Sequence, residues 1–401
     1  MQANSKKDFS LIKMLIVITM ITVLALIAIS TYRGRTQKAK STSLQHDASL
    51  IQGLDKSEPI KKPEEREEGE ISIYTAEELA KIGHDSAYPL NGTYYLMADL
   101  DLSGVGGEEG WVPIGFPKDQ NHNVMDTRLS FVGTFDGNGC VIRHLQINRP
   151  EADGQGLFSR IGPGAELINI KLEDVNITGK DCTAGLAGQN YEGTISDCYS
   201  TGTVTGAIRT GGLVGRNWGT ITNSLFTGDV NGKLSTGGLV GANHCVVTDS
   251  YFAGTVTGER NTGGLVGLDS GGDTQITDCY STGSVIGIKG TGGLVGSSDG
   301  SITGSYFSGT VAGREGTGGL VGANEGSIAD SFCTGASPAD RALAVWWVLT
   351  ADPSPTAIQR VLLPATACKP AAWWVQTLVP SPPATLPALS AVKMRLAAWW
   401  A

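Results

Sequence analysis

The tetrapeptide Gly-Leu-Val-Gly starts at Gly212, Gly238, Gly264, Gly293 and Gly319, so successive copies are offset by 26, 26, 29 and 26. A variant, Gly185-Leu186-Ala187-Gly188, precedes the first copy by a comparable offset of 27. The long step holds three extra residues near 270–273, and the register recovers after them, as it does when a loop is inserted into a fixed scaffold. Written in this register, the columns are chemically uniform. One holds Leu186, Leu213, Leu239, Leu265, Leu294 and Leu320; a second holds Ile195, Ile221, Val247, Ile276, Ile302 and Ile328; a third holds Val204, Val230, Val256, Val285 and Val311. The apolar stretches are short, rich in β-branched residues and separated by Gly, Asn, Asp, Ser and Thr, so they read as short strands and not as helices. One such unit cannot enclose a core. Stacking the units at about 4.8 Å per coil turns each column into a continuous aliphatic ladder. The expected architecture is all-β: a right-handed parallel β-helix of about 26-residue repeats. Gly212, Leu213, Gly238, Leu239, Gly264, Leu265, Gly293, Leu294, Gly319 and Leu320 are its structural repeat positions. Leucine fills the core, and glycine marks corners that need positive φ or close backbone approach.

Composition narrows the alternatives. Gly is 55 of 401 residues and charged residues are 17%, which excludes a coiled coil, a helical bundle and a disordered acidic tail. Gly does not recur every third residue, so the chain is not collagen-like. A net charge of -9 argues against nucleic acid as a partner. The 7 Cys form no CxxC pair, which points neither to a zinc ribbon nor to a complete disulfide framework. Each reads as a small buried apolar residue.

Five segments follow. Residues 1–35 are a leader and an apolar helix, 36–70 a charged linker, 71–130 an N-terminal cap, 131–335 the β-helix, and 336–401 a Pro/Trp-rich tail. Within the cap, residues 75–82 open with a capping box and keep helical spacing, and residues 94–102 read as the first strand. Two less regular coils, 131–147 and 156–179, lead into the array. Residues 14–29 carry no charge and are almost wholly aliphatic. With their apolar neighbours they reach the ~20 residues that cross about 30 Å of hydrocarbon, so one membrane-spanning helix is expected ahead of the solenoid. Lys6 and Lys7 on one side and Arg33, Arg35, Lys38 and Lys40 on the other leave its orientation open. No small-x-small cleavage site follows, so the helix is expected to be retained.

The run Phe9-Ser10-Leu11-Ile12-Lys13-Met14-Leu15-Ile16-Val17 resembles the N-terminus of type IV pilins and pseudopilins. That resemblance implies a cut between Asp8 and Phe9 and a helix that anchors the subunit before filament assembly. Two positions depart from the family pattern: Asp8 stands where the family has Gly, and Lys13 where it has Glu. Thr210-Gly211-Gly212-Leu213-Val214-Gly215-Arg216-Asn217-Trp218-Gly219-Thr220-Ile221 resembles the GLUG motif. GLUG repeats occur in bacterial surface proteins, adhesin-like proteins and the N-terminal region of some immunoglobulin A peptidases. The likeness extends over roughly 71–335 and implies a cell-envelope or secreted setting and a binding or structural role.

Chemistry is sparse. None of His46, His84, His122, His144 and His244 lies in an HExxH, and no GxSxG, P-loop or GGxGxD stands in a suitable context. Gly271-Gly272-Asp273 is only a fragment of the last of these. Asp99, Asp101 and Asp136 are the acids to weigh for polysaccharide cleavage, and turn or capping roles account for them more simply. The column Asn217, Asn243, Asp269, Ser298 and Asn324 reads as stacked turn amides and their substitutes. Trp218 is an ordinary turn residue or a sugar-packing ring. The expectation is a non-enzymatic repeat protein of the cell envelope, adhesin-like or a display scaffold, with no catalytic residue, cofactor or metal. Its expected partners are a membrane, through the N-terminal helix, and a surface glycan or protein ligand. The rival readings are a carbohydrate-binding or polysaccharide-cleaving β-helix and a minor pilin-like subunit.

In the tail, Trp-Trp pairs begin at Trp346, Trp373 and Trp399, offset by 27 and then 26. Leu320 precedes the first of them by the same offset of 26. The period survives although the residues change, and a one-nucleotide shift turns Leu-Val codons into Trp-Trp. The tail therefore reads as the same array translated out of frame, and sequencing the gene would test this.

Overall fold

The computed structural model describes residues 67–115, 129–334 and the pair 347–348. All of them belong to the second of two units, which runs from Pro63 to Ala401. The apolar N-terminal segment, the Asp8–Phe9 bond and nearly all of the tail lie outside the described residues. Among the described residues, no helix is long and apolar enough to cross a membrane.

The described chain is a parallel β-solenoid. Its strands form four stacks, of ten, six, seven and eleven members. One coil is typical: Tyr199–Thr205, Ile208–Gly211, Val214–Asn217 and Thr220–Thr222. The next coil repeats it as Leu225–Asn231, Leu234–Gly237, Val240–Asn243 and Val246–Thr248. Each strand pairs in parallel with its counterpart one repeat on, as Ile221 with Val247 and Val230 with Val256 show. The three extra residues near 270–273 form an outward loop between Val266–Asp269 and Gln275–Thr277, and the pairing of Val247 with Ile276 absorbs them.

The three aliphatic ladders run through the interior. Leu265, Ile276 and Val256 are wholly buried, and every other member of their columns is 5% exposed or less. Burying a side chain of this kind contributes about 1.5–3 kcal/mol, and the contribution recurs in every coil. Leu265→Ala in a central coil should therefore cost about 2–5 kcal/mol, because flanking coils hold the backbone and the cavity cannot collapse. Denaturant unfolding followed by circular dichroism would measure it.

Local conformations explain the polar punctuation. At the corner after each short strand, Asn169, Asp197, Asn223, Asp249, Asp278 and Asp330 adopt left-handed backbone with φ between 45° and 55°, and Gly304 takes the same place in its coil. Asn and Asp tolerate this region better than other side chains. The glycine that opens Gly-Leu-Val-Gly serves differently. A Cβ on Gly212, Gly238 or Gly293 would overlap both the carbonyl of the equivalent glycine in the next coil and the ring of Phe226, Phe252 or Phe307. Of the two reasons expected for these glycines, close approach is the one that applies; none of the three has positive φ. The phenyl ladder itself, with Phe226 and Phe252 stacked at 6.3 Å and 4°, carried no sequence expectation.

The cap helix spans Ala76–Ala80, two residues shorter than expected at its C-terminal end. Its capping box is present: Thr75 Oγ1 accepts from the Glu78 amide, and Glu78 Oε2 accepts from the Thr75 amide. The single strand expected over 94–102 is two strands, Thr93–Leu96 and Leu100–Asp101. They belong to different sheets, so the chain turns a corner at Met97–Asp99. A further strand, Glu70–Ile73, precedes the helix and pairs in parallel with Thr93–Leu96. At the far end Trp347–Val348 pairs with Ser331 and Phe332 in antiparallel fashion, so this pair does not continue the parallel ladder.

Candidate functional site

The acids singled out from the sequence are committed to holding the first coils together. Asp99 accepts from the Val141 amide at 2.9 Å and pairs with Arg143 at 2.9 Å. Arg143 also reaches Glu173 at 2.9 Å, and Tyr199 donates its hydroxyl to Glu173 at 2.7 Å. Asp101 meets His144 Nδ1 at 2.9 Å. The Ser103 amide, and after it His144, holds the Asp101 carboxyl down to about 2. Asp136 accepts from the Asn138 amide at 2.7 Å and from Asn169 Nδ2 at 3.2 Å. These carboxylates act as struts and turn caps. Gly271 and Gly272 direct their amides at Asp299 Oδ1 of the following coil, at 2.8 and 3.2 Å. Among the described residues, no group of three His, Cys, Asp or Glu is arranged to hold a metal ion. Cys140, Cys182, Cys198, Cys279 and Cys333 are buried outside any disulfide, and Cys245 is partly buried. Burial pushes the thiols of Cys198 and Cys279 up to about 12, so they are poor nucleophiles.

The amide column is an internal ladder, begun one coil earlier than the sequence suggested. Asn190 Nδ2 donates to Asn217 Oδ1, Asn217 Nδ2 to Asn243 Oδ1, and Asn243 Nδ2 to Asp269 Oδ1, each at 2.8 Å. Ser298 donates its hydroxyl to Asp269 Oδ2 at 2.7 Å. Asn190, Asn217, Asn243 and Asp269 are all fully buried. The same amides close their own turns, as Asn217 does with the amide and carbonyl of Gly219.

Asp269 is the charged member of this ladder. Burial raises its carboxyl above the usual range, against the hydrogen bonds from Ser298 and Asn243. A carboxyl raised in the folded state gives its full stabilisation below the unfolded value of about 3.9, and that stabilisation is lost as pH rises through the folded value. Asp269→Asn would remove the buried charge and let the amide donate to Ser298. The expected outcome is a higher melting temperature at pH 7 than for the parent chain, with the gap closing as pH falls below the aspartate range. Melting curves across pH 3–8 would show it.

Beside the ladder, on the outer side, lies a stack of rings and cations. Trp218 is partly buried. Tyr191 meets its ring edge-on at 5.7 Å, and His244 stacks on it at 5.2 Å and 20°. The Arg216 guanidinium lies 3.6 Å from the Trp218 ring, and the Arg160 guanidinium 4.7 Å from that of Tyr191. His244 Nδ1 faces the Ser270 carbonyl at 2.7 Å, so it carries the proton, and Nε2 accepts from Arg216 Nε at 3.4 Å. Burial, then the nearby Arg216 charge, lowers the His244 pKa, which keeps the ring neutral. The Trp218 ring is thus packed among Tyr191, His244 and Arg216 and does not stand out as a free sugar platform. Arg216 and Gln189 escaped the sequence reading. The signal was present, as an i, i+2 pattern recurring with the coil: Gln189 with Tyr191, Arg216 with Trp218, Ala242 with His244.

Stacked coils, glycine-lined corners and an internal amide ladder define a parallel β-solenoid of short, glycine-punctuated repeats. Its repeats match the family model of the GLUG motif at residues 181–205 and 206–231. Over 151 residues the chain is 34% identical to Halomucin of Haloquadratum walsbyi, a stretch covering 36% of this chain and 2% of that protein. The chain therefore spans only a small fraction of that relative. Among solved structures it is similar to a Bacteroides ovatus protein described as an immunoglobulin A1 protease. The identity is 17% and the TM-score 0.47, over 64% of this chain and 83% of the other.

Proposed function

We propose that this chain is a non-enzymatic repeat protein of the cell envelope that serves in surface attachment or as a display scaffold. In this reading the apolar segment at 14–29 anchors it in a membrane and the coils, right-handed as parallel crossovers prefer, stand outside the cytoplasm. The observation that carries the proposal is the way the interior and the acids are used. Column after column repeats one packing solution, and Asp99, Asp101, Asp136 and Glu173 are each engaged in joining coils or closing turns. A scaffold needs such uniformity, whereas a hydrolase needs two carboxylates facing a common bond. The GLUG repeats and the likeness to Halomucin support a surface setting.

The test is protease treatment of intact cells producing the chain. The repeat region should be cut while a cytoplasmic marker survives; protection of both would overturn the surface assignment. Incubating the purified full chain with a panel of polysaccharides should release neither new reducing ends nor unsaturated products. Release of either would favour the enzymatic alternative.

A further inference from the structure

The outer side of the sheet that contains Val214–Asn217 carries a short polar column in an otherwise small or apolar series. Parallel pairing sets Gln189 opposite Arg160 in one neighbouring strand and opposite Arg216 in the other. The two arginines therefore stand two strand spacings apart, about 9–10 Å between backbones, with the glutamine amide between them. In the following coils the same column holds Ala242, Leu268, Ser297 and Ala323. Among the described residues this grouping occurs once.

Two groups in it lack the partner their chemistry calls for. Arg216 is partly buried, lies against Trp218 and spends its Nε on His244. Among the described residues, no carboxylate stands within ion-pair distance of it. Asp181, whose charge reaches it, is held by Arg209 instead. Gln189 is 6% exposed, and its Oε1 has no donor among the described residues. A guanidinium without a counter-ion calls for an anion that can accept two parallel hydrogen bonds, and a buried carbonyl oxygen calls for a hydroxyl or amide donor. A sugar bearing a carboxylate supplies both within one residue.

We propose that Arg216 and Gln189, walled by Tyr191, Trp218 and His244, form a binding site for a carboxylate-bearing sugar residue of an anionic glycan. The carboxylate forks onto Arg216, and a ring hydroxyl donates to Gln189 Oε1 as the Arg216 side chain shifts toward the ligand. Because Arg216 and His244 already lie against the Trp218 ring, the sugar meets the edges of the ring stack and not a flat aromatic platform. The chain as a whole is acidic, at -9, so any such affinity is local and not a general attraction for polyanions. The proposal rests on the attachment reading for its biological meaning. Its assay uses purified protein and is independent of where the chain resides in the cell.

The experiment measures binding of the full chain to oligogalacturonate, to sialyllactose and to neutral maltohexaose. At least one acidic probe should bind and maltohexaose should not. Arg216→Ala should weaken that binding at least about tenfold, the worth of a charge-assisted hydrogen bond. Arg314→Ala, an exposed arginine in a different column, should leave it unchanged. Alanine already occupies the Arg216 column at Ala242 and Ala323, so the variant is expected to fold, and circular dichroism would verify this. Equal binding of maltohexaose, no binding of either acidic probe, an unaffected Arg216→Ala, or an equal loss in Arg314→Ala would each overturn the proposal. None of these outcomes bears on whether the chain is surface-exposed, which the protease experiment reads separately.

Discussion

Replacing Gly238 with alanine is expected to destabilise the centre of the solenoid by on the order of 5 kcal/mol, for one added methyl group. The new Cβ would overlap the Gly264 carbonyl of the next coil and the ring of Phe252. A side-chain end can rotate away, but a backbone carbonyl inside a parallel ladder cannot move without separating two coils. Gly238 also donates to the Gly263 carbonyl at 3.2 Å and accepts from the Gly212 amide at 3.0 Å. Overpacking commonly costs about 1–3 kcal/mol, and each buried hydrogen-bonding group left unpaired adds about 1–3. Gly164→Ala is the control. Gly164 has φ 77° but nothing within 4 Å of an added Cβ, so it should lose only the roughly 1–2 kcal/mol of left-handed backbone strain. Denaturant melts of the two variants separate the explanations. Comparable losses would show that backbone strain, and not the close approach of coils, makes glycine necessary in this repeat.

Asn217→Leu is expected to cost about 4 kcal/mol although leucine keeps the branched heavy-atom skeleton of asparagine and is the more hydrophobic. Asn217 takes part in four hydrogen bonds: it donates to Gly219 O and Asn243 Oδ1 and accepts from Asn190 Nδ2 and the Gly219 amide. Asn190 keeps its bond to the Gly193 carbonyl, but the amide and carbonyl of Gly219 lose their side-chain partner inside the core. Each unsatisfied buried group costs about 1–3 kcal/mol. Asn324→Leu, at the partly exposed end of the column, should cost about 1 kcal/mol, since Asn324 donates only to Gly326. A similar loss at both positions would show that the ladder does not act as a chain of mutually supporting bonds.

The apolar half of this molecule was legible before any coordinates. Leu213, Ile221 and Val230 recur with their counterparts in one register, broken only by a three-residue insertion, and only stacked coils bury all of them while keeping that register. The capping box at Thr75 and Glu78 was equally plain, because it needs only residues three apart. The amide ladder was half legible. Its members could be aligned as turn residues, but burial was not readable from a column of polar side chains, since an exposed turn and an internal ladder demand the same Asn. The stack of Tyr191, Trp218, Arg216 and His244 was hardly legible, because it joins three coils and its members differ in type.

The repeat register dictated that the chain coils and which side chains line the interior, because aliphatic groups have one requirement, removal from water, and periodicity alone can satisfy it. Polar groups are different. Whether Asn217 turns inward to bond Asn243, whether Asp99 joins Arg143 or faces a substrate, and whether Arg216 meets a carboxylate depend on direction and distance to a partner a whole coil or more away in sequence. Those quantities exist only once the coils are stacked, and the tertiary structure decided them.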